Sequence, residues 1–401
     1  MIFIGFIYLL SLGYLLFAFA CLEKFYRFRK NFHPSGTFQP PVTVIKPVCG
    51  LAPELEENLL SFCHQNYPEF QVIFGLHDEN DPAIPVIRKI IDTHPEIDIT
   101  LVINQRLSGK NYKVSNMVNM YPHARHGMLV IADDDMRVPA NYLKEIVAPF
   151  ADQETGAVTC LYSGAPRGGI LSSLHAMFIN EWFLPSALIS HALKKSDFCF
   201  GATMVIRSEI LLEIGGFEAL ADYLADDYML GKLVAKHGHK IRLSPLIVQN
   251  IIQLTSLKSV LLNETRWART MRSVEPVSYT FTFLTDTLII SCFTGTAVYF
   301  HTQEPLWPVL IIGTVLLVRI LFHLRINTML DGHGAGSVWL IPVRDFFTFC
   351  IRLASFTSNT IEWKNRFFSV DGSGMLLSQV KQPIIPPVPS EGISKPKTGN
   401  N

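Results

Sequence analysis

Three consecutive aspartates, Asp133-Asp134-Asp135, directly follow the apolar run MLVIA at 128–132. A short run rich in branched residues is typical of a buried central strand in an α/β sheet. Ligands of such sheets bind outside the carboxyl ends of the strands, where alternate carboxylates supply the oxygen ligands that Mg²⁺ or Mn²⁺ prefers. The pattern therefore predicts a metal site that holds a diphosphate. An acidic, solvated turn is the alternative for Asp-rich segments in general.

Two further acidic positions have the side chains that such a site needs. Asp78 follows the predicted strand 70–76, and Asp226-Asp227 precedes a helical run at 229–236. Since Asp78 and the Asp133–Asp135 triplet both fall at the carboxyl ends of predicted strands, we expect them at the same edge of the sheet.

Three arginines are spaced to share one broad helix face, because Arg269 and Arg272 lie three and six positions after Arg266. Their planar guanidinium groups match phosphate geometry, so this face could bind phosphates. For Arg269 and Arg272 the alternative is a basic amphipathic helix that lies on lipid headgroups before the membrane spans.

The elements that must position these residues alternate regularly along the middle of the chain. This rhythm predicts a mainly parallel, doubly wound sheet. The predicted strands are 42–45, 70–76, 97–103 and 128–132, and the predicted helices are 51–65, 83–93 and 112–120.

Composition indicates a membrane protein with a soluble middle. Hydrophobic residues make up 49% of the 401 and charged residues only 17%, and the apolar excess is concentrated at the two ends. Lys+Arg and Asp+Glu are both 34, so no basic surplus indicates nucleic-acid binding. The seven cysteines are odd in number and lack CxxC spacing, which argues against a disulfide framework and a zinc site.

The first apolar segment, 1–21, carries no charge and is about as long as a hydrocarbon core is thick. It lacks the basic start of a cleaved signal peptide, so we predict an uncleaved transmembrane anchor. Lys24, Arg27, Arg29 and Lys30 follow it and favour the cytosolic side, which places the predicted catalytic domain, 39–274, in the cytosol. The compact anchor and short loops favour a bacterial inner membrane over a eukaryotic Golgi or ER face.

The second apolar region predicts a transmembrane hairpin at 277–322. A third region, 338–373, begins with an apolar segment that contains Arg344, Asp345 and Arg352. Because charges inside a span are costly, we predict a re-entrant or interfacial helix there, with a further span as the alternative and with Arg344 and Asp345 paired to each other. The Pro-rich, polar tail 382–401 is predicted to be disordered.

Taken in order, these features resemble the family 21 glycosyltransferases, which include ceramide glucosyltransferases and the bacterial enzymes that glycosylate hopanoids. The resemblance covers 1–373. The shared features are Lys46-Pro47, Asp78 with Asp81-Pro82, Gly109 with Lys113, the segment IADDDMRV at 131–138, the segment LADDY at 224–228, Arg266-Trp267, and Trp363 with Arg366.

The resemblance implies a GT-A fold and the metal-dependent, inverting transfer of a hexose from a UDP-sugar to a hydroxyl of a membrane lipid. It implies that Asp78 contacts the uracil or ribose and that Asp133 and Asp135 position the donor and an Mg²⁺ or Mn²⁺ ion, with Asp135 on the metal. Asp227 would be the general base. The remaining implied site residues are Arg266 and Trp267, which cap the diphosphate and the acceptor mouth, and Lys113, which contacts the donor phosphates or is a solvated lysine.

Two departures from the family pattern affect the choice of substrate. Asn263 stands where Gln, Arg or a related residue precedes Arg-Trp, and the Asp triplet is richer than in the animal glucosyltransferases. Ceramide, a hopanoid polyol and diacylglycerol stay open as acceptors, and glucose and N-acetylglucosamine as donor sugars. Two other functions are weighed: a processive polysaccharide synthase of family 2, and a non-catalytic membrane-anchored binding protein.

Overall fold

The computed structural model describes residues 1–32, 38–193, 197–330, 332, 336–363, 366–372 and 374–379. The predicted disordered tail, 382–401, lies outside these residues. The strands are β1 Val42–Pro47, β2 Phe70–Leu76, β3 Ile99–Ile103, β4 Met128–Ile131, β5 Met136–Arg137, β6 Thr155–Pro166, β7 Met204–Arg207, β8 Lys240–Ile252, β9 Thr360–Trp363, β10 Arg366–Val370 and β11 Leu376–Gln379.

The α-helices connect these strands and extend into the two apolar ends. They are α1 Ile2–Asn31, α2 Leu55–Cys63, α3 Ile84–Thr93, α4 Tyr112–Met120, α5 Tyr142–Val147, α6 Ile170–Phe178, α7 Leu184–Leu193, α8 Ser208–Glu213, α9 Asp226–Lys236, α10 Leu257–Val274, α11 Pro276–Phe281, α12 Thr287–Thr302, α13 Leu306–Met329 and α14 Ile341–Ser355. A π-helical turn, Ile179–Phe183, joins α6 to α7.

The main sheet has the strand order β3-β2-β1-β4-β7-β6-β8-β5. The first four strands are all parallel, so β1, β2 and β4 end at the same edge of the sheet. β7 is antiparallel to both β4 and β6, whereas β8 is parallel to β6. β1 and β4 are buried along their whole length, which is why both are continuous apolar runs apart from Thr43 and Lys46. The predicted α/β architecture is confirmed, and the sheet is mixed, with parallel pairs among β1, β2, β3 and β4 and antiparallel pairs at β7.

Two helices in the described residues are long and apolar enough to cross a membrane, α1 and α13. A third segment is bent by 59° between residues 276–285 and 287–302, as a broken span or a re-entrant loop would be. α14 has 15 residues, fewer than the roughly 20 that a span needs, so its length fits the predicted interfacial or re-entrant helix better than the alternative of a further span.

Three arginines in the membrane-side helices each donate two hydrogen bonds to one carboxylate. Arg319 of α13 binds Asp345 at 2.7 and 3.0 Å, and Arg352 binds Asp286 at 2.9 and 3.1 Å. Arg344 binds Glu264 of α10 at 2.7 and 2.8 Å. The expected Arg344–Asp345 pair is therefore wrong. Neighbours along a helix point to different sides, so each residue pairs with a different helix.

The C-terminal strands β9, β10 and β11 form a separate antiparallel sheet. Arg269 donates to the carbonyl of Thr360 at 2.6 Å, and Arg272 donates to Asn359 Oδ1 at 2.6 Å and to the carbonyl of Ser358 at 2.9 Å. The expectations for Arg269 and Arg272 were phosphates and headgroups, and these contacts with the C-terminal segment were not among them. The two guanidinium groups attach the C-terminal segment to α10.

Candidate active site

The Asp triplet leaves the end of β4 beside β1. Lys46 of β1 is fully buried, and its Nζ donates to the backbone carbonyl of Asp133 and lies 3.7 Å from the centre of the Phe62 ring. Burial lowers the pKa of Lys46 to about 8, while the three carboxylates act in the opposite direction. Lys46 therefore places a positive charge under the triplet and supports its backbone.

Lys113 bridges two of the predicted acidic positions. Its Nζ lies 2.8 Å from Asp133 Oδ1 and 3.1 Å from Asp226 Oδ2, and its side chain is only 16% exposed. Burial alone would lower the pKa of Lys113, but the carboxylates of Asp133, Asp226 and Asp227 together raise it. The lysine is thus part of the acidic site, and the solvated-lysine alternative is wrong.

The segment that carries Lys113 is attached to the loop that precedes Asp226. Asn111 caps α4, its side-chain oxygen accepting from the Val114 N–H, and its amide donates to the Tyr223 carbonyl at 2.8 Å. A Cβ on Gly109 would lie 2.5 Å from the Ala221 carbonyl oxygen, so only glycine permits this approach. These contacts bring the Lys113 and Asp226 positions together.

Asp227 lies in the first turn of α9 and faces the loop before β7. Its Oδ2 accepts a hydrogen bond from the Gly201 N–H at 2.6 Å, and its Oδ1 accepts one from the Tyr228 N–H at 2.8 Å. A Cβ on Gly201 would be 3.2 Å from both Asp227 Oδ2 and Asp133 Oδ2, so the two carboxylates converge there. Burial, with the neighbouring Asp226 carboxylate, raises the pKa of Asp227 to about 6.

Residues 198–203 precede β7 and lie against α9. The observed strand β7 begins only at Met204, and the preceding residues form a turn. A Cβ on Gly231 of α9 would meet the Phe198 backbone at 2.3 Å. The close approach of α9 to this turn delivers Asp227 to Gly201.

Asp135 carries a buried oxygen without a partner. Its Oδ1 accepts no hydrogen bond from any described residue. Burial and the adjacent carboxylates of Asp134 and Asp133 raise the pKa of Asp135 to about 7, against a hydrogen bond from Asn250. A buried carboxylate oxygen of this kind is a suitable ligand for a cation, because a bound cation would offset the cost of burying the negative charge.

The described residues contain no group of three or more His, Cys, Asp or Glu side chains arranged to hold a metal ion. Mg²⁺ sites commonly use one or two carboxylates together with substrate phosphates and water. Asp135, with the Oδ2 of Asp133, fits such a partial donor set. The remaining ligands would have to come with the donor substrate.

Asp78 lies at the same sheet edge, after β2, but it is exposed. Its Oδ1 accepts from the Asn80 N–H at 2.9 Å, which stabilises its own turn. The structure describes no contact between Asp78 and the Asp133–Asp135 triplet, so Asp78 stands at the outer rim of the candidate site.

Arg266 and Trp267 reach the site from α10. The Arg266 guanidinium faces Asp133 and Asp135 and has no hydrogen-bond partner among the described residues. The Trp267 ring packs within 5.8–6.2 Å of four other ring centres in an aromatic cluster. The other rings in this cluster are Tyr162, His175, Phe178 and Phe183.

Glu264 holds α10 in this position. It is fully buried, binds Arg344 of α14 through both oxygens, and lies 3.1 Å from His175 Nδ1 of α6. Sequence reasoning missed Glu264 and Tyr162. A signal existed for Glu264, since it is the lone acidic residue on the helix that carries Arg266, Arg269 and Arg272. Tyr162, within an ordinary strand, gave none.

The family model described as glycosyl transferase family 21 matches residues 4–376, and the chain belongs to this family.

Two curated relatives are ceramide glucosyltransferases of Caenorhabditis elegans. Ceramide glucosyltransferase 1 is 30% identical over 236 residues, which are 58% of this chain and 50% of that protein. This chain therefore aligns with only half the length of that relative. Ceramide glucosyltransferase 3 is 24% identical over 388 residues, covering 93% of this chain and 82% of that protein.

Among solved structures, a mannosyltransferase from Pyrobaculum calidifontis in complex with GDP-Man and Mn²⁺ aligns with 88% of this chain and 99% of its own. Its TM-score is 0.48 at 17% sequence identity.

Proposed function

We propose that this protein transfers a hexose from a UDP-sugar to a hydroxyl of a membrane lipid, with inversion at the anomeric carbon and with the help of a divalent metal. One observation carries the proposal. Asp227, a carboxylate with a raised pKa, converges with Asp133 at Gly201, beside aromatic side chains that connect the site to the membrane helices.

In this proposal Asp227 is the general base. A carboxylate with a pKa of about 6 is ionised at neutral pH and is a better proton acceptor than an ordinary aspartate. The Gly201 and Tyr228 N–H groups orient it, so that it takes the proton of the acceptor hydroxyl as the acceptor oxygen attacks the anomeric carbon. A single displacement of this kind inverts the configuration.

The donor is assigned to the opposite side of the site. Asp133 and Asp135 would hold an Mg²⁺ or Mn²⁺ ion, with the unpartnered Oδ1 of Asp135 as the first ligand. Such an ion offsets the negative charge that develops on the departing UDP. Lys113 lies close enough to add positive charge at the diphosphate, and Asp78 at the rim is available to the uracil or ribose.

Arg266 and Trp267 are proposed to cap the diphosphate and the acceptor mouth. The Arg266 guanidinium has polar atoms free to bind a phosphate, and Trp267 suits an edge that is apolar on one side and wet on the other.

The apolar helices and the family support a lipid acceptor. Ceramide and a hopanoid are the acceptors that we propose, with UDP-glucose or UDP-N-acetylglucosamine as donor. The basic residues at the C-terminal end of α1 support a cytosolic catalytic domain, and we propose the bacterial inner membrane as its location.

Purified protein in detergent, supplied with Mg²⁺ or Mn²⁺, tests this function directly. Radiolabelled UDP-glucose and UDP-N-acetylglucosamine are offered in turn with ceramide, a hopanoid polyol or diacylglycerol, and the label extracted with lipid is counted. We expect label in one lipid, lost when a chelator is added. UDP-sugar binding without label in any lipid would contradict the proposal and would favour the family 2 synthase or the non-catalytic binding protein.

A further inference from the structure

Tyr162 lies in β6, whose neighbouring strand β8 carries Asn250, the residue that binds Asp135. Only 8% of its surface is exposed. Its ring lies 4.7 Å from that of Phe183 and 6.1 Å, edge to face, from that of Trp267. The ring is therefore held by the aromatic cluster, and the position of its hydroxyl group is well defined.

The hydroxyl group has no hydrogen-bond partner among the described residues, and its oxygen is not fully enclosed, although the side chain is more than nine-tenths buried. Phe183, which contacts the Tyr162 ring, also packs against Phe200, next to the Gly201 N–H that binds Asp227. The charges that act on the hydroxyl are those of Asp227, Asp133 and Asp135 and, with the opposite sign, Arg266. A phenol oxygen that is open to the site and binds no side chain is available to a substrate group.

The phenol of Tyr162 can act as a hydrogen-bond donor. An ordinary phenol has a pKa of about 10 and is protonated at neutral pH, where Asp227 is ionised. It therefore donates to an oxygen and does not compete with Asp227 for the proton.

We propose that Tyr162 binds the acceptor: its hydroxyl donates a hydrogen bond to the oxygen that is glycosylated, while Asp227 takes the proton from that same oxygen. The inference rests on the proposed function and adds to it the residue that orients the lipid hydroxyl. One lone pair of the acceptor oxygen then binds Tyr162 and the other attacks the sugar.

The position of the ring favours the acceptor over the donor. Phe183 and Trp267, which hold it, lie in the aromatic cluster around the π-helical turn, and this turn continues into α7, which packs against α1. Lipid would approach from this side. The donor side has its own charged groups in Lys113 and Asp135.

Tyr162→Phe removes only the hydroxyl group and leaves the ring in its cluster. We expect kcat/KM for the lipid acceptor to fall roughly tenfold, the size of one lost hydrogen bond, with the Kd for the UDP-sugar unchanged. Tyr67→Phe is the matched control, since Tyr67 is also 8% exposed but donates to the Pro40 carbonyl at 2.6 Å, outside the site. The control should keep both constants and lower only the melting temperature.

Unchanged acceptor kinetics in Tyr162→Phe would overturn the inference and make Tyr162 a packing residue. A loss in UDP-sugar affinity without a change in the KM for the acceptor would also overturn it. Failure of the proposed function is distinct from both results, because the wild-type protein would then label no lipid. A melting temperature close to that of the wild type shows that the variant is folded.

Discussion

Buried charges occur in two regions of this protein, and they are arranged in opposite ways. Among the membrane-side helices, Arg319, Arg344 and Arg352 each bind one carboxylate through two hydrogen bonds. At the sheet edge, by contrast, Lys113 is the ion-pair partner of only two of the four carboxylates, Asp133 and Asp226. Asp135 and Asp227 have no ion-pair partner in the part of the chain that the structure describes.

The paired charges hold the helices together, whereas the carboxylates without ion-pair partners are available for chemistry. A bidentate pair satisfies both of its members and orients two helices, so nothing remains to bind a ligand. A surplus of buried carboxylates raises the pKa values of its members and attracts cations and protons, which are what a glycosyl transfer requires. The comparison predicts that substitutions in the two regions act on different quantities.

The largest effect is expected at Asp227. Asp227→Asn keeps the hydrogen-bonding shape but removes the base, so transfer should fall by about 10²–10⁴-fold while UDP-sugar binding is largely kept. Because the folded protein raises the pKa of Asp227 to about 6, the ionised carboxylate costs stability at neutral pH, and the variant should melt no lower than the wild type. Measurements of lipid transfer, UDP-sugar binding and melting temperature test these expectations. Near-full turnover in Asp227→Asn would show that Asp227 is not the general base.

Arg352→Met should show the opposite behaviour. It leaves Asp286 buried without its cation, and breaking a buried pair costs roughly 3–5 kcal/mol of unfolding free energy. The double variant Arg352→Met/Asp286→Leu removes both charges and should recover most of that loss. Thermal unfolding in detergent measures both. A single variant as stable as the wild type would mean that the pair does not hold these helices together.

These pairs also show which features of the structure could not be predicted from the sequence. The strands β1, β2 and β4 and the helix α4 were predicted closely, because short apolar runs and helical periodicity are local signals. The Asp triplet at the end of β4 followed from the same signal. The partners of Arg269, Arg272 and Arg344 could not be predicted, because each lies on another element and is chosen by the tertiary packing. Tyr162 was missed for the same reason.

Asp135→Asn is expected to have a smaller effect than Asp227→Asn. The variant keeps an oxygen but loses the charge that would hold a cation, so metal-dependent UDP-sugar affinity should fall by about 10–100-fold. Titration of UDP-sugar at several Mn²⁺ concentrations measures this. Asp134→Asn serves as the control, because Asp134 Oδ2 accepts a hydrogen bond from the Cys49 N–H, whereas Asp135 Oδ1 accepts none from the described residues. Equal losses in both variants would argue against a specific role for Asp135.

The smallest effect is the dependence of the wild-type rate on pH. Since burial raises the pKa of Asp227 to about 6, the base is protonated below that pH, and kcat should fall by about tenfold for each unit below it. Above about pH 7 Asp227 is ionised, and kcat should no longer rise with pH. Single-turnover rates between pH 4.5 and about pH 8 check this dependence. A fall in kcat that begins only near pH 4 would mean that a carboxylate with an ordinary pKa is the base.

The central claim is that Asp227 takes the proton of the lipid hydroxyl in a single displacement. The configuration of the product tests it most directly, because UDP-glucose carries an α-linked sugar. Glycolipid made by the wild-type protein would be purified and its anomeric coupling measured by NMR. The account predicts a β-linked sugar; an α-linked product would contradict it, since retention cannot arise from one inverting attack assisted by Asp227.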